Sequence, residues 1–304
     1  MAGPRSARSP PLSHPARGVD PTGAALALFV SLLWGANPVA IKLGLEDAPP
    51  LRLAWMRFVV GGAAILAWAW LTGRLAGFAI APAERQPLLV LGLLFTAQIG
   101  TMNIGTALTS AAHAAILLNC YAVHVVVLAH FMIPGDRLTL RRFAGVLVAY
   151  TGIVVLFARQ AGAGAASLLG DAIMLGSALL LAERTVYLAR AVQGIDPVKL
   201  LLSQAVIGTA LFLLGSALFE AAPTRWTGRL AAVVAFQGVV IAGFNFVVNL
   251  WLLKRYRPSS LAAFFLTQPL FGVTIAALVA GDALTVELLL ASVAVAIGIG
   301  LTSR

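Results

Sequence analysis

Apolar and polar positions alternate in blocks along this chain: long apolar stretches are cut by short clusters of charge, glycine and proline. Ten stretches have helical length, each of about 18 to 23 residues, which is what a helix needs to cross a bilayer. They run approximately from 21 to 43, 52 to 72, 87 to 109, 112 to 133, 141 to 158, 168 to 190, 197 to 219, 229 to 252, 260 to 280 and 285 to 303. Only Thr109 to Ala112 divide the third from the fourth, so a tight, uncharged hairpin is expected there. Residues 1 to 20, with four prolines, several serines and arginines and no periodicity, read as a short disordered tail. A cleavable signal peptide does not fit, because the apolar run that follows is too long, ends in Lys42 and lacks a small-x-small cleavage site.

Composition turns the pattern into a class. Of 304 residues, 60% are apolar and only 11% charged, against about half and about a quarter in a soluble domain. So few charges cannot cover a water-facing surface, which excludes a large soluble enzyme. Disorder, a collagenous repeat and a disulfide scaffold fall as well, since glycine has no period and Cys120 is the single cysteine. The predicted fold class is therefore an all-α integral membrane protein with ten transmembrane helices.

A net charge of +10 would suggest nucleic-acid binding in a soluble protein. Sorted by the loops between the stretches, 14 of the 21 basic residues lie on one face. Five lie on the other (Lys42, Arg52, Arg159, Arg225 and Arg229), and Arg57 and Arg184 lie within spans. With the acidic residues included, one face carries +10 and the other −1. Basic residues in short loops stay cytoplasmic, so both termini are expected inside, in a plasma (inner) membrane, and no nucleic-acid partner is implied.

An offset of 148 residues aligns the two halves: Lys42 with Arg190, Pro49 with Pro197, Ala114-Ala115 with Ala262-Ala263, and Leu118 with Leu266. After a slip of two, Gly135-Asp136-Arg137-Leu138-Thr139 matches Gly281-Asp282-Ala283-Leu284-Thr285, and Gly152-Ile153 matches Gly298-Ile299. Each half then holds five spans, at 21–158 and 168–303. An odd number makes the second half enter the membrane from the opposite side, as two inverted five-helix repeats whose exchange of conformation would give alternating access.

Leu33-Trp34-Gly35 followed by Pro38 and Lys42, Pro49 or Pro50 with Arg57, the Thr109-Ser110-Ala111-Ala112 hairpin and the Gly-Asp-x-Leu-Thr loop carry a resemblance. Gly145, Gly152-Ile153-Val154, Gly170-Asp171, Arg257-Pro258-Ser259 and Pro269 extend it through the chain. The sequence resembles the drug/metabolite transporter superfamily, in particular its EamA-type permeases, and is similar to amino-acid and aromatic amino-acid exporters. The resemblance implies a ten-helix exporter of small metabolites. One departure is that Tyr121 stands where the second half has Pro269, so the first half is expected to lack that kink.

Polar groups within spans are costly and therefore mark candidate sites. Trp34, Asn37, Gln98, Asn103, Tyr121, Tyr187, Phe244, Asn245, Phe264 and Gln268 are candidate substrate-binding residues, amides and aromatics that describe a mostly neutral, amphipathic pocket. Pro38 and Pro269 are candidate kinks or gates, since each removes a backbone donor. Glu183 and His124 are candidate proton-coupling groups; for each, a structural ion pair or an interhelical hydrogen bond is the competing role. Adjacent helical positions point about 100° apart, so Glu183 and Arg184 should find separate partners. Two intramembrane arginines are too few for a sugar-phosphate dianion. Gly145, Gly152, Gly298 and Gly300 leave smooth faces that suit close packing within the bundle or in a dimer. No metal or cofactor is implied.

An intramembrane enzyme would need a nucleophile beside a base or paired carboxylates, and GxSxG and HExxH are absent. A channel would show rings of charge or carbonyl filters. The sequence therefore reads as a secondary exporter of small amphipathic metabolites, amino acids first. A passive facilitator, or a drug or nucleoside exporter of the same fold, is the alternative. Its partners are a small-molecule substrate and the bilayer, with the protein a monomer or weak homodimer.

Overall fold

In the computed structural model, the described residues are 19–75, 78–132, 138–160, 165–256, 264–265 and 267–302. The predicted tail up to residue 18, the first copy of the repeated loop at Gly135-Asp136-Arg137, Arg257-Pro258-Ser259, Ala262-Ala263 and Leu266 lie outside them. All regular structure among the described residues is helical. The helices are α1 (Pro21–Leu45), α2 (Pro50–Leu71), α3 (Pro82–Leu108), α4 (Ala111–Asn119), α5 (Tyr121–Met132) and α6 (Leu140–Gln160). There follow α7 (Ala165–Ala191), α8 (Pro197–Phe219), α9 (Gly228–Ala235), a π-helical stretch Phe236–Asn245, α10 (Phe246–Arg255), α11 (Gln268–Ile275), a π-helical turn Ala276–Ala280 and α12 (Val286–Thr302).

Starts are written in the sequence as proline behind a capping residue, the arrangement that satisfies orphan amides without losing a bond. Asp20 accepts from the Gly23 amide at 2.7 Å ahead of Pro21, and Asp196 accepts from Val198 at 2.8 Å ahead of Pro197. The backbone bond from Gly23 holds the Asp20 carboxyl below its ordinary range. The expected hairpin is Thr109 and Ser110 alone, Ser110 capping α4 through the His113 amide at 3.1 Å.

Among the described residues, six helical segments are long and apolar enough to cross a membrane: Pro21–Leu45, Pro50–Leu71, Pro82–Leu108, Ala111–Leu128, Pro197–Phe219 and Gly228–Asn249. Gln268–Ala280 and Val286–Thr302 are apolar but shorter, and α7 carries Asp171, Glu183, Arg184 and Arg190. The outer surface is apolar where a soluble protein would be charged: Val206, Leu218, Leu278 and Phe131 are all more than 60% exposed. One expectation is corrected. The fourth stretch is not one unbroken helix, because α4 ends at Asn119 and α5 starts at Tyr121, with the Cys120 amide turned back to Leu117. The first half thus breaks at the position of Pro269 without a proline.

Packing follows the same exchange in both halves. α3 lies on α7 as α1 lies on the Phe236–Asn245 stretch, and α1 lies on α11 as α7 lies on α4 and α5. α2 with α8, α6 with α12, and α4 with α11 each cross between equivalent positions of the two halves.

One face is tied by ion pairs. Asp47, after α1, accepts from Arg229 Nε at 2.8 Å and Thr227 Oγ1 at 2.7 Å, and these bonds with Arg225 nearby hold its carboxyl down at about 2. Glu220 takes the Leu51 and Arg52 amides at 2.6 and 2.9 Å. At the α3–α4 hairpin the fully buried Asp171 accepts from Thr109 Oγ1 and pairs with His113 Nδ1 at 2.8 Å, while Asp282 takes the Ala112 amide at 2.7 Å. Lys42 Nζ donates to the Thr106 and Thr109 carbonyls at the end of α3, where the helix dipole favours a cation.

Candidate substrate-binding site

A cavity of about 110 Å³ lies among helices of both halves, several times the space one water needs. Its walls take Trp34 and Asn37 from α1, Arg57 and Phe58 from α2, Phe95, Gln98, Ile99 and Met102 from α3, and Leu118, Asn119 and Tyr121 around the α4–α5 break. The second half adds Leu181 and Arg184 from α7, Gln237, Ile241 and Ala242 from the π-helical stretch, Phe246 from α10 and Gln268 from α11.

Local backbone features aim these side chains. Gly35 lets α1 approach α11, since a Cβ there would stand 2.9 Å from the Gln268 carbonyl oxygen; Trp34, Asn37 and Gln268 thereby share a wall. Pro38 denies the Trp34 carbonyl its i+4 donor. The π-helical stretch passes so near α2 that a Cβ on Gly238 would meet Val60 at 2.6 Å and the Arg57 carbonyl at 3.0 Å. That approach sets Gln237 against Arg57. Such π-helical insertions recur at functional positions because they shift side chains out of α register.

Arg57 is 3% exposed and donates through Nη1 to Gln237 Oε1 at 2.6 Å. Arg184 is 7% exposed and donates through Nη1 to Gln98 Oε1 at 2.8 Å. Gln98 is braced by Ser177, whose hydroxyl donates to the Gln98 carbonyl at 2.8 Å. The Arg57 guanidinium lies 4.6 Å from the Phe58 ring and that of Arg184 5.1 Å from Phe95, and the two rings meet edge to face at 4.6 Å. Trp34 Nε1, Arg57 Nε, Gln237 Nε2 and Gln268 Nε2 are buried donors without a protein partner, and Asn37 Oδ1 is a buried acceptor without one.

Of the residues expected at a site, Trp34, Asn37, Gln98, Tyr121 and Gln268 come together here. Five others stand elsewhere. Asn103 is fully buried and donates to the Pro50 carbonyl at 2.8 Å, fastening α3 to the start of α2. Tyr187 packs on Leu88, Leu91, Ile195 and Leu200. Phe244 is 45% exposed and meets Phe29 edge-on, Asn245 is buried near the Val30 carbonyl, and Phe264 packs on Ala27, Val30, Leu252 and Tyr256.

Pro38 is buried inside α1, and Pro269 in the first turn of α11. Glu183 is exposed on the outer side of α7 while Arg184 turns inward, the divergence that a 100° step imposes. His124 lines a separate apolar crevice of about 480 Å³ between α5, α6 and α7, where its Nε2 meets the Tyr150 hydroxyl at 2.7 Å. Among the described residues no three His, Cys, Asp or Glu side chains gather at one point.

Arg57, Arg184 and Gln237 were not among the candidates. The spacing held a signal: Phe95, Gln98, Ile99 and Met102 recur at i, i+3, i+4 and i+7, and Leu181 and Arg184 at i and i+3, each set on one helical face. Asn103, five residues from Gln98, falls on another face.

Similarities to known proteins bear on the whole chain. The chain is 22% identical over 275 residues to the uncharacterized transporter YoaV of Bacillus subtilis, covering 90% of this chain and 93% of that one. It is 26% identical over 276 residues to a probable amino-acid metabolite efflux pump of Salmonella typhimurium, covering 86% and 87%. A protein of known crystal structure superimposes with a TM-score of 0.68 at 23% identity over 92% of this chain and 95% of that one, a likeness of fold. The EamA-like transporter family matches twice, over residues 21–158 and 168–304. A doubled family match over nearly all of an apolar helical chain, with a cavity walled by both copies, identifies this membrane protein as a member of the EamA-like transporter family.

Proposed function

We propose that this protein is a secondary transporter of the plasma membrane that exports small metabolites, amino acids among them. In this reading ten helices form two inverted five-helix halves, 21–158 and 168–303, that rock about the cavity to give alternating access, with both termini cytoplasmic. The observation that carries it is one cavity whose walls, mostly apolar with a few polar side chains, come from both family repeats. Support for the repeat comes from the exchange of equivalent helix pairs between the halves, and support for orientation from the 14 basic residues gathered on one face. The ion-paired face then lies outside. Amino acids are suggested by the efflux-pump relative. The carrying residues are Trp34, Asn37, Gln98, Asn119, Tyr121 and Gln268, with Pro38 and Pro269 as the pliable points.

A second reading, facilitated diffusion without proton coupling, is favoured by one feature. No carboxylate or imidazole stands among the described cavity residues, with Glu183 and His124 both facing elsewhere. Purified protein in liposomes, loaded with labelled amino acids and related acids with and without a pH gradient, tests both. Efflux above empty liposomes is expected. Efflux no faster than from empty liposomes for every compound would defeat the transport reading, and efflux independent of the gradient would select facilitation.

A further inference from the structure

The charge in the cavity is unbalanced. Arg57 and Arg184 are both buried, and each gives one Nη–H to a glutamine oxygen. A guanidinium has five N–H donors. Glutamine orients the group without neutralising it, and the described cavity residues include no Asp or Glu. Glu183, adjacent in sequence to Arg184, points outward. The guanidinium carbons of Arg57 and Arg184 lie over the Phe58 and Phe95 rings, which offer no hydrogen-bond acceptor to the remaining N–H groups. The buried groups without protein partners lean the same way: Trp34 Nε1, Arg57 Nε, Gln237 Nε2 and Gln268 Nε2 are donors, and Asn37 Oδ1 is the acceptor. Two uncompensated buried cations in a donor-rich cavity need a ligand with negative charge and many lone pairs.

We infer that the cavity is a carboxylate site built on Arg57 and Arg184, and that it selects small organic acids of net negative charge over neutral amino acids. This deepens, and rests on, the proposal that substrate occupies this cavity during transport. The forked edge of arginine matches a carboxylate bidentately. The remaining walls, Trp34, Phe58, Phe95, Tyr121, Ile99 and Met102, suit an apolar carbon body, which distinguishes an organic acid from inorganic phosphate. An α-ammonium finds one buried side-chain acceptor without a partner, Asn37 Oδ1, beside the Trp34 carbonyl that Pro38 leaves without its helix donor, and no carboxylate among the described cavity residues. Acidic amino acids therefore fit, whereas zwitterions leave the cavity at its original excess charge.

The test is ligand binding to the full chain in detergent, read by the shift of the thermal unfolding midpoint and by calorimetry. The probes are succinate, glutamate, 4-methyl-2-oxopentanoate, leucine, leucinamide and glycerol phosphate. The first three should raise the midpoint in a concentration-dependent way, leucine should do so weakly and leucinamide not at all. Arg57→Gln and Arg184→Gln should each weaken the acids by roughly tenfold or more. Because loss of a buried arginine can impair folding, Gln237→Glu is the second variant: it sets a carboxylate beside Arg57, should leave the free protein folded, and should lose the acids by a similar factor. Binding of leucinamide as tight as that of the acids, tighter binding of glycerol phosphate, or affinity for the acids unchanged in all three variants would overturn the inference. Flux in liposomes separates this from the transport reading. Acids that bind but do not move leave the carboxylate site and remove transport, while leucine flux indifferent to the acids and to these variants removes the site and leaves transport.

Discussion

The contact between α6 and α12 yields a prediction whose sign and size follow from the coordinates. On α12, a Cβ added to Gly298 would lie 2.6 Å from Ala149 Cβ, 2.7 Å from the Gly145 carbonyl oxygen and 2.8 Å from the Ala149 nitrogen. On α6, a Cβ on Gly145 would lie 2.8 Å from the Gly298 oxygen. Non-bonded carbons are comfortable at about 3.5–4.0 Å, so one methyl requires the backbones to separate by roughly an ångström, and no flexible side-chain end is there to yield. Overpacking of this kind costs about 1–3 kcal/mol. Replacing glycine by alanine recovers about 0.4–1 kcal/mol through the unfolded chain, so Gly298→Ala should lose on the order of 1–2 kcal/mol net. Gly176→Ala is the control: it lies inside α7 with nothing within 4 Å of its added Cβ, and should gain up to about 1 kcal/mol.

The assay is thermal unfolding in one detergent. The double variant Gly145→Ala/Gly298→Ala should lose less than the sum, because helices parted by the first methyl admit the second. Losses independent of protein concentration would match a contact inside one chain. Equal stability of Gly298→Ala and Gly176→Ala would refute the argument.

Three further predictions test the rest of the frame. The Asp47 carboxyl sits at about 2 against an ordinary 3.8, so its stabilising bonds are complete above about pH 4 and are lost as pH falls through about 2; the difference in unfolding midpoint between wild type and Asp47→Asn should be constant from pH 7 to about 4 and shrink below that, and a difference that persists unchanged at pH 2 would contradict it. Asp171→Ala removes a buried carboxylate that serves Thr109 and His113 together and should cost about 3 kcal/mol or more, with Asp171→Asn milder; an unchanged unfolding midpoint would count against the pairing. Glu183→Gln, on an exposed face, should change affinity for any cavity ligand by no more than about twofold, measured beside Arg184→Gln; similar losses in both would place Glu183 in the site after all.

The helices were legible because one physical quantity, apolar length between charges, decides them, and the start signals, proline at Pro21, Pro50, Pro82 and Pro197 with Asp20 and Asp196 capping the first and last of these, are local. The break at Cys120 was not, since neither flanking residue is a helix breaker; α11 packs against α4 there, with Ala115 set 2.5 Å from where a Cβ on Gly272 would be. The π-helical stretch was equally hidden, because an i→i+5 pattern leaves no composition signature and arises where Gly238 packs on α2. Among site residues, Trp34, Asn37 and Gln268 could be picked out as polar groups in apolar stretches. The arginines were visible as charges but were weighed as too few for phosphate. Their partners, Gln237 and Gln98, lie 180 and 86 residues away, which no local pattern reports.

Symmetry sharpens the reading of those arginines. Helix pairs exchange between the halves, yet the residue 148 positions after Arg57 is Ala205, and the residue 148 positions before Arg184 is Ala36. Neither guanidinium has a repeat mate. In the proposed alternating-access cycle, the packing that lets two halves swap conformations is shared between them, since each half adopts both arrangements. The charges need not be, because a substrate is read in one cavity that both arrangements enclose. Burying one cation in each half, opposite neutral alanine positions, is an expense the fold does not require, for Ala205 and Ala36 show the matching helices of the other half built without charge at the corresponding positions. The arginines are therefore to be explained by what enters the cavity, and a negatively charged ligand is the one chemistry that both of them, together with the surrounding unpartnered donors, can satisfy.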